Sequence, residues 1–260
     1  MARSARSLLM AALLVGVIGF GTGDAAALPF AKLQARFDPN RLGVPTTIKF
    51  GLVVSDTVAN TVPPALTELD LSLPAGMGLA SSTLGLAECE PSRLLAFGPS
   101  GCPANSLVGR GAALGLIENE GEAIREAARV TAVLGPPAGE VEQVLFYVEA
   151  ESPVSAELVF AGRVLSSESS RFGGRILTAI PLVPAWAGGP DVSVTSFSSS
   201  IGPAGLTYLH RVRGQFVPFK PRGIAVPTRC PRGGFPFSAR LAFADGSHAA
   251  TSTSVPCPRA

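Results

Sequence analysis

Phe235-Pro236-Phe237-Ser238-Ala239-Arg240-Leu241-Ala242-Phe243 runs into Ala244-Asp245-Gly246-Ser247, and the chain returns through His248 to Val255. Phe235, Phe237, Ala239, Leu241 and Phe243 hold alternate positions, with Pro236, Ser238 and Arg240 between them. A period of two is that of a strand, whose successive side chains point to opposite faces. Asp245-Gly246 reads as a two-residue hairpin turn. The return is rich in Thr and Ser, which suits a strand with one solvated face. This hairpin carries Cys257 back toward Gly233-Gly234, within reach of Cys230.

The same signal recurs on either side. Ile48, Phe50, Leu52 and Val54 alternate, as do Leu69, Leu71 and Leu73 before Pro74-Ala75-Gly76. Val144, Phe146 and Val148 alternate, and Ile176, Thr178 and Ile180 run into Pro181. Glu122–Arg129 is ambiguous: its residues are good helix formers, yet Ala128, Val130, Ala132 and Leu134 alternate. The expectation there is a strand from Arg129 onward, preceded by a turn of helical character. Short strands punctuated by turns predict an all-β, predominantly antiparallel fold with little helix, built as an Ig-like β-sandwich. The expected division is a region at 28–114 and another at 115–260, either separate or joined in one continuous sandwich.

Composition agrees. In 260 residues there are 29 Gly and 23 Pro, one position in five. Interior Pro costs a helix about 3 kcal/mol, so a mainly helical architecture is excluded. Only 15% of residues are charged and 47% are hydrophobic, which excludes a charged disordered chain. The net charge of +2 supplies no overall pull toward nucleic acid.

Residues 1–27 read as a signal peptide. Arg3 and Arg6 precede an uncharged run from Leu8 to Phe20, too short to span a bilayer comfortably. Ala25 and Ala27 then fit a small-residue cleavage site, so the mature chain is expected to start at or near Leu28. No Cys follows the run and no apolar tail ends the chain, so a secreted, extracellular protein with no transmembrane segment after signal removal is expected. Cys89, Cys102, Cys230 and Cys257 suit an oxidising compartment. Of three connectivities, Cys89–Cys102 and Cys230–Cys257 are favoured because each closes a short, turn-rich loop. A zinc site would need close pairs such as C-x-x-C, which are absent.

Leu69-Asp70-Leu71-Ser72-Leu73-Pro74-Ala75-Gly76 is similar to the strand exit of exported bacterial Ig-like modules. Cys89, then Cys102-Pro103-Ala104-Asn105-Ser106-Leu107-Val108-Gly109, resembles a C…C-P-x-x-S-x-x-G pattern. With Cys230-Pro231-Arg232-Gly233-Gly234-Phe235-Pro236-Phe237 and Asp245-Gly246-Ser247 before Pro256-Cys257-Pro258, it resembles exported β-rich, Ig-like proteins of actinobacteria of a Solirubrobacter-like lineage. The likeness covers about residues 69–258. It implies export, a β fold and disulfides, and carries over no catalytic residue.

Chemistry-bearing patterns are scarce. His210 shares strand parity with Tyr208 and Val212 and reads as partly buried; His248 follows a turn and reads as solvated. G-x-S-x-G, S-x-x-K, H-E-x-x-H and phosphate-binding glycine patterns are absent. Glu118, Glu120, Glu122 and Glu126 form the densest acidic group and read as a solvated loop. No catalytic residue, metal site or cofactor is expected. From Glu118 to Glu157 nine Glu face only Arg125 and Arg129, whereas residues 201–260 hold eight cations and one Asp. The bland reading is two faces that pair with each other. The functional one has Arg211, Arg213, Lys220 and Arg222 meeting an anionic envelope polymer or a protein partner. Nucleic acid is not an expected partner. Trp186, in a Gly- and Pro-rich loop, plugs an end of the fold or stacks on a sugar. The expectation is a non-enzymatic protein with a structural or interaction role at the bacterial envelope or outside the cell. The alternatives are a carbohydrate-binding module using Trp186, and a carboxylate-based hydrolase.

Overall fold

The computed structural model describes residues 29–57, 61–77, 82–167 and 169–258. The expected signal peptide and Arg259 lie outside the described residues. Strands take 59% of those residues and helices 6%. In chain order the strands are β1 (Pro29–Asp38), β2 (Pro45–Asp56), β3 (Leu66–Pro74), β4 (Leu107–Asn119), β5 (Glu122–Ala138), β6 (Val141–Ala150) and β7 (Ala156–Ser166). They continue as β8 (Phe172–Ala179), β9 (Ser193–Ile201), β10 (Tyr208–Val212), β11 (Gln215–Phe219), β12 (Ile224–Ala225), β13 (Phe235–Phe243) and β14 (His248–Val255).

The expected pair of stacked Ig-like sheets is corrected by the pairing. Eleven strands form one antiparallel path in the order β1-β2-β9-β4-β5-β6-β7-β8-β3-β13-β14, and β12 adds to β2. The ends of the path, β1 and β14, lie side by side, so the sheet is a nearly closed barrel. Alternating antiparallel strands in odd number leave the first and last running the same way, so the seam joins parallel strands without a ladder. Sandwich and barrel share the same alternation and turns. They differ in which distant strands pair, here β9 between β2 and β4 and β3 between β8 and β13. The boundary at 114/115 falls within β4.

The opening hairpin occupies its expected residues. Phe235, Phe237, Ala239, Leu241 and Phe243 are buried, and β13 pairs β14 from Phe235↔Val255 to Ala242↔His248. Its turn is longer than Asp-Gly alone: the Gly246 amide donates to Phe243 O, the Phe243 amide donates to Ser247 O, and Gly246 takes φ 81°. β5 starts at Glu122, seven residues earlier than expected, and its full length is strand. Ile124, Glu126 and Ala128 continue the parity of Val130 and Ala132. Pairing with β4 and β6 thus overrides the helix propensity of Glu, Ala and Arg.

A helix, α1 (Pro91–Phe97), begins with Pro at a position where its missing N–H costs nothing. It packs outside the barrel, where Leu94 and Cys89 meet the outward-facing Val133, Leu145 and Tyr147. This cover explains why β6 is apolar on both faces. The two expected disulfides form, with Cα–Cα separations of 5.2 Å for Cys89–Cys102 and 5.8 Å for Cys230–Cys257. No helix among the described residues is long and apolar enough to cross a membrane.

Candidate functional site

About eight strands enclose an interior just wide enough for side chains to fill. Eleven enclose more, and the two ends of this barrel meet that demand differently. At the end where β4 begins, large side chains plug the interior beside a second cavity of about 180 Å³ lined by Ile48, Val108, Val144, Ile176 and Ile201. Phe37 contacts Phe235 and Phe237 at ring separations of 5.4 and 6.0 Å, beside Ile48, Val108 and Ile201. Connecting segments add Met77, Leu84, Leu206 and Val226, and β12 adds Ile224, as a plug. Tyr208 is wholly buried there; its hydroxyl donates to Leu107 O and accepts from the Gly85 amide at 3.1 Å. Burial raises the Tyr208 phenol above the usual tyrosine range, against the opposing effect of the Gly85 bond.

At the end where β4 finishes, the interior is hollow. A cavity of about 160 Å³ is lined by inward residues of β2 to β9 and by the loop after β8. The cause is legible in the side chains: Ala113, Gly115, Ala128, Ala150 and Ala156 point inward where larger residues would close the space. Phe146, Val148, Leu158, Phe160, Val194 and Phe197 stand around it and remain half-exposed. Val194 and Phe197 both face inward because the register of β4 against β9 shifts between Ser196 and Val194, leaving Thr195 as an extra residue.

Two polar side chains interrupt the lining, Thr178 and Glu126. Glu126 is 4% exposed, so its expected place in a solvated loop is corrected: it faces inward from β5. One carboxylate oxygen accepts from the Val154 amide at 2.8 Å, anchoring the loop between β6 and β7. The other, Oε1, is buried, and no group of the described residues donates to it. Parity alone would have placed Glu126 inside, had the strand been followed back to Glu122.

Most of the acidic stretch lies at this end, whereas Glu140 and Glu142, at the β5–β6 turn, lie at the other. Glu118, Glu120, Glu122, Glu149, Glu151 and Glu157 belong to strand ends and turns at the hollow end. Among the described residues the ion pairs are Lys49–Asp38, Arg129 with Glu149 and Glu151, and Arg175 and Arg240 with Asp70. None joins the acidic stretch to the basic one, so the two do not neutralise each other. A surface hollow lined in part by Glu118, Asp191 and Ser193 lies at the same end.

Trp186 stands in the loop between β8 and β9 and is 47% exposed. Pro181, Leu182, Val183 and Val192 of that loop line the cavity, and Pro184 bridges to Asp191 to close its tip. The indole lies against Gly189, where a Cβ would come within 2.5 Å of the ring. Trp186 itself is not among the lining residues.

Arg211 and Arg213 lie at the opposite end, on the separate β10–β11 hairpin, with Lys220 and Arg222 just after it; all four are exposed. Arg211 faces Phe216 across the ladder, and Leu209, Val212, Phe216 and Val217 are exposed too, Phe216 at 70%. Arg213 and Gly214 take φ of 50° and 86°, as a tight two-residue turn requires. His210 is exposed, with its ring 5.0 Å from that of Phe219, rather than partly buried; His248 is exposed. Compared with protein-family models, curated proteins and solved structures, the chain matches none of them.

Proposed function

We propose that this chain is an exported, non-catalytic binding protein whose hollow barrel end receives a small apolar molecule. The observation that carries the reading is the ring of half-exposed inward residues, Phe146, Val148, Leu158, Phe160, Val194 and Phe197, around about 160 Å³ of interior. A filled core would bury them. An apolar cavity of about 150 Å³ stays dry and takes up benzene, so the volume suits one ring or a short chain. Export rests on the leader-like residues 1–27, and the two disulfides are compatible with it.

Toluene tests the reading. It is expected to bind the native chain and raise its Tm, by mass action on the folded state. Ala128→Leu, which projects a larger side chain into the cavity, is expected to keep or raise the Tm and abolish binding. Toluene that leaves the native Tm unmoved sinks the reading.

A second reading is favoured by the hairpin. From Val192 to Ala244 the sequence has no Asp or Glu, and Arg211, Arg213, Lys220 and Arg222 stand exposed there. We assign this surface to an anionic envelope polymer, held by salt-sensitive point charges. Binding of a teichoic-type polymer is expected to weaken with salt and with R211A/R213A; binding indifferent to both rejects it. For the glycan reading of Trp186, unchanged glycan binding by W186A is the contrary result.

A further inference from the structure

The barrel's hollow end holds one carboxyl group whose presence the fold does not require. Position 126 has the parity of Ile124, Ala128 and Val130, and its neighbours in the cavity wall are apolar. Loop anchoring uses only one of its two oxygens, since Oε2 takes the Val154 amide. A glutamine would supply that acceptor without a charge. Oε1 is left buried without a donor among the described residues, a costly arrangement that folded proteins rarely tolerate without a use.

The surroundings indicate the missing donor. Six glutamates, Glu118, Glu120, Glu122, Glu149, Glu151 and Glu157, belong to the strand ends and turns at this end, and the cations of the same stretch are Arg125 and Arg129. Arg129 is engaged with Glu149 and Glu151. A rim of that sign gathers cations and repels carboxylates. Behind it lie an apolar lumen and one carboxyl group within it.

We propose that Glu126 is a ligand-binding residue, and that the molecule received by the barrel is an amine-bearing amphiphile. Its apolar ring or chain lies among Phe146, Phe160 and Phe197, and its ammonium group donates to Glu126 Oε1. The inference rests on the lumen being a binding site and names the chemistry of its occupant. A charge-assisted hydrogen bond is the strong kind, and it gives the polar end a fixed place that an apolar wall alone cannot give. Removing one partner of such a pair leaves the other unsatisfied, which is how a site rejects molecules lacking the group.

Four probes of similar size separate the possibilities: toluene, benzyl alcohol, benzylamine and benzoate, each titrated into the oxidised chain. Benzylamine is expected to bind about tenfold or more tighter than toluene, and benzoate weaker than either. Raising the ionic strength is expected to narrow the gap between amine and benzoate. Glu126→Gln keeps the acceptor for Val154 and is expected to lose about tenfold or more in benzylamine affinity while toluene binds as before. Toluene binding without preference for benzylamine, or a preference that survives Glu126→Gln, overturns the role of Glu126 and leaves the lumen reading standing. Failure of all four probes to bind overturns both.

Discussion

Tyr208 concentrates much of the packing logic at the plugged end of the barrel. Its hydroxyl satisfies Leu107 O and the Gly85 amide at once, tying β10 to β4 and to the segment before α1. Tyr208→Phe removes both hydrogen bonds and is expected to cost about 1–3 kcal/mol in chemical denaturation at neutral pH. The phenol also sets an alkaline limit. Its folded-state pKa is raised, so its contribution is complete below the unfolded tyrosine value of about 10 and is lost as pH rises through the folded value. Tyr147 shifts the same way, mainly through burial and then Glu157, so the Phe variant is expected to lessen the alkaline loss without removing it. Asp245 works with the opposite sign. Ser247 holds its carboxyl below the usual range through side-chain and backbone hydrogen bonds. Its contribution is present above about pH 4 and fades as pH falls through the lowered value, so Asp245→Asn is expected to flatten the acid limb of a Tm-versus-pH curve.

At the scale of elements, the strands legible in the sequence are those whose inward face is large and apolar. β13 is the clearest, and Phe237→Ala is expected to destabilise by about 3–5 kcal/mol in denaturant titrations, because Phe237 is fully buried against Phe37. β4 and β9 escaped the same reading. The inward positions of β4 include Ala113 and Gly115, and β9 is a run of serines broken by a register shift. Neither carries enough hydrophobic contrast for alternation to stand out. Gly111 adds a reason invisible from one strand alone: a Cβ there would come within 2.2 Å of Ser198 O on β9. The β10–β11 turn is the other element whose chemistry departs from its geometry. Arg213 occupies a left-handed conformation that Asn or Gly takes more readily. Arg213→Gly is expected to raise the Tm slightly while weakening polymer binding, which separates what the turn needs from what the surface needs.

For the whole molecule, alternation and turn residues determined an antiparallel β fold, and the short Cys loops determined the disulfides. The closure into a barrel was not legible, because β9 and β3 join strands far from them in sequence and no local pattern encodes that pairing. The candidate site escaped for a related reason. A cavity arises from the sum of small inward residues on several strands, and Glu126 looks like any solvated glutamate until its strand is paired on both sides. The near-neutral total charge also conceals an arrangement, with the acidic residues grouped mainly at the hollow end and the basic hairpin at the other.

The central claim is that this barrel, plugged by large side chains at one end, is open to an apolar ligand at the other. A crystal of the oxidised chain equilibrated with xenon tests it most directly, because xenon enters dry apolar cavities without needing a polar partner. The expected result is xenon in the cavity beside the Phe146–Phe160 ring pair and Phe197, displaced by Ala128→Leu. No xenon in the space lined by Phe146, Phe160 and Phe197 would contradict the claim.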